Sequence, residues 1–152
     1  MTETHLRRAK LKELLPLRAL VLRPGKSPEN CEFPGDRDAT TRHYIASIGD
    51  RIAGIASLYE RASPHPEHRH EKLSFQLRSM AIRPQLQRQH IGSKLLQFVL
   101  SDPFAEDPRL IWCNARVRAV PFYARAGFRT CGEAFMVPEI GMHQYMFLHC
   151  TM

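Results

Sequence analysis

The stretch "QLQRQHIGSKLL" at 85–96 sets three glutamines, an arginine and a histidine against a Gly-Ser step. Leucines on helical spacing follow at once, so a polar loop runs straight into a helix. The first N–H groups of a helix have no intrahelical partner, and the helix dipole adds partial positive charge there. Such a start suits a phosphate. Gly92 allows close backbone approach and Ser93 adds a hydroxyl. A second stretch, "NARVRAVPFYARAGF" at 114–128, joins an asparagine to a short helix carrying Phe122-Tyr123 and then a Gly-Phe step. "HPEHRH" brings His65, His68 and His70 together, but proline breaks it and it has no cysteine or matching partner cluster. No metal site is expected there.

The elements that must hold these residues follow from periodicity. "LKELLPLRALVL" (11–22) places Leu14, Leu17 and Val21 on one helical face, and "RPG" at 23–25 stops it. Residues 24–40 are turn-rich and form a structured loop. "RHYIASIGDRIAGIASLYE" is a β-hairpin turning at Gly49-Asp50. "LSFQLRSMAI" (73–82) is a strand ended by Arg83-Pro84, and the leucine helix runs from Ile91 to Leu100 with Leu95, Leu96 and Val99 inward. "RLIWCNA" is a fully apolar strand of the kind found in a sheet centre. "RAVPFYARAG" is a short helix with Gly127 as its αL cap, and "FRTCGEAFMV" and "HQYMFLH" are two closing strands. The order β-α-ββ-β-α-β-α-ββ makes a mixed α/β (α+β) domain over residues 1–152.

Composition bounds the rest. A chain of 152 residues, 43% apolar and 24% charged, is one ordinary globular domain with enough chain for a core. No eighteen apolar residues run together, so no membrane span is expected. No long apolar stretch follows the first basic residues, so no signal peptide is expected either. Cys31, Cys113, Cys131 and Cys150 are scattered without a CxxC, which suits reduced thiols in the cytoplasm. A net charge of +7 and a pI near 9.6 point to a polyanionic partner. Arg outnumbers Lys 17 to 5, and the planar guanidinium suits phosphate. Composition alone does not separate nucleic acid from a phosphorylated cofactor.

The two stretches together resemble the GNAT superfamily of acetyl-CoA-dependent N-acyltransferases. That family has a phosphate loop of the form Q/R-x-x-G-x-G/A after a strand ending like "LRxMAV"; here "QLRSMAI" precedes Gln87-Arg88-Gln89-His90-Ile91-Gly92. The later family block, an Asn followed by Ala, Phe-Tyr and Gly-Phe, is matched by Asn114, Ala119, Phe122-Tyr123 and Gly127-Phe128. The resemblance covers about residues 41 to 148 and departs at His90, where the family most often has glycine. If the backbone needs φ > 0 there, a Cβ crowds the pyrophosphate, but histidine tolerates αL and binding is expected to be retained.

The resemblance implies a GNAT fold, a mostly antiparallel mixed sheet flanked by helices and splayed between its fourth and fifth strands. It places the pantetheine arm against Met80, Ala81 and Ile82, pairing with their backbone as an extra strand would. It lays the pyrophosphate on Gln87, Arg88, Gln89, His90, Ile91 and Gly92, with Ser93 next. It has Asn114 bond the pantetheine and Phe122 pack on the cofactor, and it brings Tyr123 near the sulfur. Tyr123 is then the candidate catalytic acid for the departing thiolate, and the Met80 N–H a donor to the oxyanion. Glu60 and His143 are both candidate bases, each with a structural role as the alternative. Gln76 and Arg78 share strand parity with Met80, so they either line the acceptor side or serve in structural pairing. Tyr44 and Tyr59 are expected to pack in strands. The loop "CEFPGDRD" (31–38) is a lid over the acceptor or a plain surface loop. Homodimers are common in the family, but no interface is legible.

Two other classes compete. A basic nucleic-acid-binding module would need clustered arginines interleaved with aromatics, and these arginines are dispersed. A sensor that binds acetyl-CoA without turnover is favoured only by His90. The reading therefore expects acetyl-CoA and an amine as partners, with no nucleic acid and no membrane.

Overall fold

The computed structural model describes residues 3–102 and 109–150. In chain order the elements are β1 (Thr4–Ala9), α1 (Leu11–Val21), β2 (Arg42–Ile48), β3 (Arg51–Glu60), β4 (Ser74–Ile82), α2 (Ile91–Ser101), β5 (Arg109–Arg116), α3 (Val120–Arg125), β6 (Arg129–Thr130), β7 (Phe135–Val137) and β8 (Gly141–Cys150). Strand neighbours run β1-β2-β3-β4-β5-β8-β6, with β7 beside β8. The ladders β1–β2, β2–β3, β5–β8, β6–β8 and β7–β8 are antiparallel, and β4–β5 is parallel. This is the expected mixed sheet. The described residues form two compact units, one holding residues up to 59 together with 77–102, the other 60–76 with 109–150.

In the first unit, α1 lays Leu14 and Leu17 on Ile45, Ile55 and Ala81, with Val21 at the margin. Each buried leucine or isoleucine here contributes about 1.5–3 kcal/mol. The β2–β3 hairpin turns at Gly49, whose φ is +59°. Gly54 on β3 has a packing reason. A Cβ there would sit 2.6 Å from Ile82 Cδ1 and 3.3 Å from Leu95 Cδ2, so any side chain at this point would force the Ile82 side chain to shift. Leu95, Leu96 and Val99 of α2 are buried as their spacing requires.

The turn-rich loop after α1 is pinned from inside. Arg18, fully buried, donates to Asp36 Oδ2 at 2.6 Å, to Asp36 Oδ1 at 3.2 Å and to the Cys31 carbonyl at 2.8 Å. Asp36 also accepts from the Phe33 N–H and the Tyr59 hydroxyl. Burial alone would raise the Asp36 carboxyl, but Arg18, Tyr59 and the Phe33 amide together hold it below the usual carboxylate range. Tyr44 and Tyr59 pack in their strands as expected.

In the second unit, Ser74–Gln76 of β4 pair with Leu110–Trp112 of β5, a ladder of three residues. β5 then pairs with β8 along its whole length, Arg109 with Cys150 through Arg116 with His143. Leu110, Trp112 and Tyr145 form the core here. The expected single strand "FRTCGEAFMV" is instead two short ones. Gly132 takes φ +79°, which turns the chain between them, and Phe135–Val137 folds back on β8 with Phe135 opposite His143.

Candidate active site

The phosphate-loop candidate lies wholly in the first unit. β4 ends at Ile82, and Pro84–Leu86 make one 3-10 turn. The Arg83 N–H donates to the Ala53 carbonyl at 2.7 Å and its Nε to the Ile52 carbonyl at 2.9 Å, which fixes the exit from the strand. Gln87 Nε2 reaches back to the Ile82 carbonyl at 3.3 Å. Arg88 (φ +66°) and His90 (φ +62°, ψ +14°) are both left-handed. His90 is the N-cap of α2, with no side-chain cap bond, and its carbonyl accepts the first helical bond from the Lys94 N–H at 3.1 Å.

The amides of Ile91, Gly92 and Ser93 therefore lie ahead of the first intrahelical bond. Left-handed residues leading into a helix turn successive N–H groups toward one concavity, a shape that collects anions. Gln87, Arg88, Gln89 and His90 are all exposed. No carboxylate occurs anywhere from 83 to 94. The donors, the left-handed entry and the missing acids fit a pyrophosphate.

Ahead of the loop, Met80 and Ile82 are half-buried while Ala81 faces the core. Ser79 takes φ +59°, an irregularity that the sequence did not reveal. The burial alternation nonetheless runs on through it, with Leu77, Ser79 and Ala81 buried and Arg78, Met80 and Ile82 half-buried. The Arg78 guanidinium lies 4.9 Å from the Phe33 ring centre, and Gln76 accepts from Arg61 at 3.1 Å. Both are held by structural contacts. The loop 31–38 carries Phe33 and Asp36 into these contacts, so this lid candidate is anchored through two side chains.

The second unit holds the remaining candidates. Asn114 is exposed on β5, and Ala115 after it is buried. Phe122 and Tyr123 sit on α3, their rings edge to face at 5.1 Å. Tyr123 is buried, and burial, with Cys113 close by, pushes its hydroxyl well above the usual tyrosine range. The Cys113 thiol is pushed up to about 12, also by burial. Both groups are thus protonated at neutral pH. Glu60 is exposed at the end of β3. His143 is buried against Phe135, and its Nδ1 lies 2.9 Å from the Gly141 carbonyl. A carbonyl only accepts, so Nδ1 donates the hydrogen there.

One grouping was not legible in the sequence. Cys131, sixty-six residues after His65, lies beside His65 and Glu67 of the "HPEHRH" loop, and their ligand atoms are all within 4.8 Å of one another. All four cysteines are free thiols. Among the described residues no helix is long and apolar enough to cross a membrane.

The family model described as the acetyltransferase (GNAT) domain matches residues 32–148. A curated relative, the uncharacterized N-acetyltransferase YitI of Bacillus subtilis (strain 168), is 29% identical over 131 residues, 86% of each chain. Among solved structures, Escherichia coli ElaA superposes with a TM-score of 0.69 at 19% identity, covering 97% of this chain and 99% of that one. An aminoglycoside 6'-N-acetyltransferase complexed with coenzyme A gives 0.67 at 11% identity, covering 95% and 96%.

Proposed function

The chain belongs to the GNAT acetyltransferase family, and from that premise we propose that it moves an acetyl group from acetyl-CoA to a primary amine by direct attack. The observation that carries the proposal is the start of α2, where left-handed His90 leads into the amides of Ile91, Gly92 and Ser93 in a stretch without carboxylates. These amides, with Gln87, Arg88 and Gln89, are assigned to the pyrophosphate. The backbone of Met80, Ala81 and Ile82 is assigned to the pantetheine arm, with Asn114 and Phe122 as its other contacts. Four free thiols fit a reducing compartment, which we take to be the cytoplasm.

Bound acetyl-CoA supplies an already activated thioester, so no covalent bond to the protein is needed. The Met80 N–H is assigned to the carbonyl oxygen where negative charge grows. Tyr123 gives its phenolic proton to the departing sulfur. Burial keeps that proton in place at neutral pH but weakens the acid, so its share of the rate falls at the low end of what general acids supply. His143 is assigned the amine's proton, because its Nδ1 is tied to the Gly141 carbonyl and Nε2 is the ring nitrogen left to accept one. If His143→Gln keeps full turnover while Glu60→Gln loses it, the base is Glu60.

Calorimetry with CoA tests the phosphate assignment. Gly92→Glu adds bulk and like charge at the amides, and a marked loss of affinity is expected. Unchanged affinity in a folded Gly92→Glu protein would remove the pyrophosphate from this loop. His90→Gly relieves a left-handed residue and should keep or improve affinity; complete loss would make the imidazole a required ligand.

A further inference from the structure

We propose that His65, Glu67 and Cys131 form a binding site for a divalent zinc-type cation, separate from the residues assigned to acetyl transfer. Imidazole, thiolate and carboxylate together suit Zn2+. The spacing fits as well. Cys131 Sγ lies 3.4 Å from His65 Nε2 and 3.5 Å from Glu67 Oε2. A tetrahedral ion with Zn–S of about 2.3 Å and Zn–N or Zn–O of about 2.0–2.1 Å sets those same edges at about 3.5–3.6 Å. The two edges that meet at Cys131 Sγ already match such a polyhedron, and all three ligand atoms lie within 4.8 Å of one another.

The histidine is held for the task. Its ring stacks on Tyr145 at 5.0 Å and leans on His68 at 5.6 Å. Its backbone N–H donates to Ser63 Oγ at 3.1 Å, and Ser63 Oγ is 2.6 Å from the Tyr145 hydroxyl, which also meets His68 Nδ1 at 3.1 Å. On the other side, Gly132 brings the chain after Cys131 so near that a Cβ there would stand 3.3 Å from His65 Nε2. Its φ of +79° favours glycine as well. A ligand fixed by packing loses little freedom on binding.

Binding moves two protons. The Cys131 thiol, which faces Glu67 Oε2, gives its proton to solvent and becomes the thiolate ligand. The Glu67 N–H now donates to His65 Nδ1 at 3.2 Å, which puts the ring proton on Nε2. For Nε2 to bind the metal, that proton shifts to Nδ1 and the Glu67 amide lets go. Water takes the fourth position, since His65 is half-buried and Glu67 exposed. The ion would tie the 61–72 loop to the turn between β6 and β7.

Anaerobic titration of the full chain with Co2+, followed by absorption, tests the site. The expected result is one Co2+ per chain, with a thiolate-to-cobalt charge-transfer band and the intense visible bands of tetrahedral cobalt. Cys131→Ser should abolish the charge-transfer band, while Cys150→Ser keeps it. Glu67→Gln, at an exposed side chain, should weaken binding by about tenfold or more, since losing even a group that only orients a metal ligand costs that much. Absence of the thiolate band in the folded wild-type chain would overturn the site. So would a band that survives Cys131→Ser, or Co2+ affinity unchanged in both Cys131→Ser and His65→Gln, which would mark adventitious binding by the other histidines.

Discussion

Phe128 closes the helix that carries Tyr123: its N–H donates to the Tyr123 carbonyl at 3.1 Å, and the two rings meet edge-on at 5.6 Å. The Gly127 N–H adds a bond to the Ala124 carbonyl at 3.0 Å, which completes a Schellman cap with Gly127 at φ +105°. The candidate acid is thus fixed by the turn after its own helix. A Cβ on Gly127 would meet only Leu148 Cδ1 at 3.4 Å, an ordinary contact, so the cost of Gly127→Ala is backbone strain alone. The expected loss is about 1–2 kcal/mol, read from the urea midpoint. A Gly127→Ala protein as stable as the parent would mean that the cap does not hold α3.

Tyr123→Phe keeps both ring contacts and removes the hydroxyl. Fold and CoA affinity should survive, and turnover should fall toward about 10²-fold, the low end for a general acid. The effect belongs mainly on kcat, because the hydroxyl matters most as charge grows on sulfur. Near-normal turnover, on an acceptor for which chemistry limits the rate, would leave Tyr123 as packing and make water the proton donor.

The Arg18–Asp36 pair gives a test of stability and of its pH dependence. Asp36→Asn leaves a buried guanidinium without its counter-charge and should cost about 3–5 kcal/mol in denaturant unfolding. Asp36 is held below the ordinary carboxylate range by Arg18, Tyr59 and the Phe33 amide against the cost of burial. Its contribution is therefore full above the unfolded value of about 4 and is lost as pH falls through the folded one. His43, lowered by burial, works in the same direction from about pH 6.5 downward, since protonation favours the unfolded chain. Stability should drop in two stages on acidification, and Asp36→Asn should remove the lower stage. A lower stage unchanged in Asp36→Asn would place it on other carboxylates.

Periodicity carried most of the elements. Leu95, Leu96 and Val99, the Gly49 turn and the Gly127 cap all act locally, and local spacing records them. His90 could be read as a left-handed position because the family pattern has glycine there. Arg88 and Ser79 could not, since arginine and serine carry no mark of positive φ. The turn at Gly132 was hidden by the β-forming residues on either side of it. Out of reach of local spacing were pairs that only the fold brings together, such as Arg18 with Asp36 and Cys131 with His65, where neither partner's neighbours name the other.

The most direct measurement mixes the purified protein with acetyl-CoA and separate primary amines, polyamines, amino acids and peptide N-termini. Free CoA thiol and acetylated amine are followed together by mass spectrometry. At least one amine is expected to give N-acetyl product and free CoA in equal amounts, at a rate that falls in Tyr123→Phe and collapses in Gly92→Glu. Tight acetyl-CoA binding with no acetylated amine across the whole panel, and no CoA release above the uncatalysed rate, would contradict the proposed acetyl transfer.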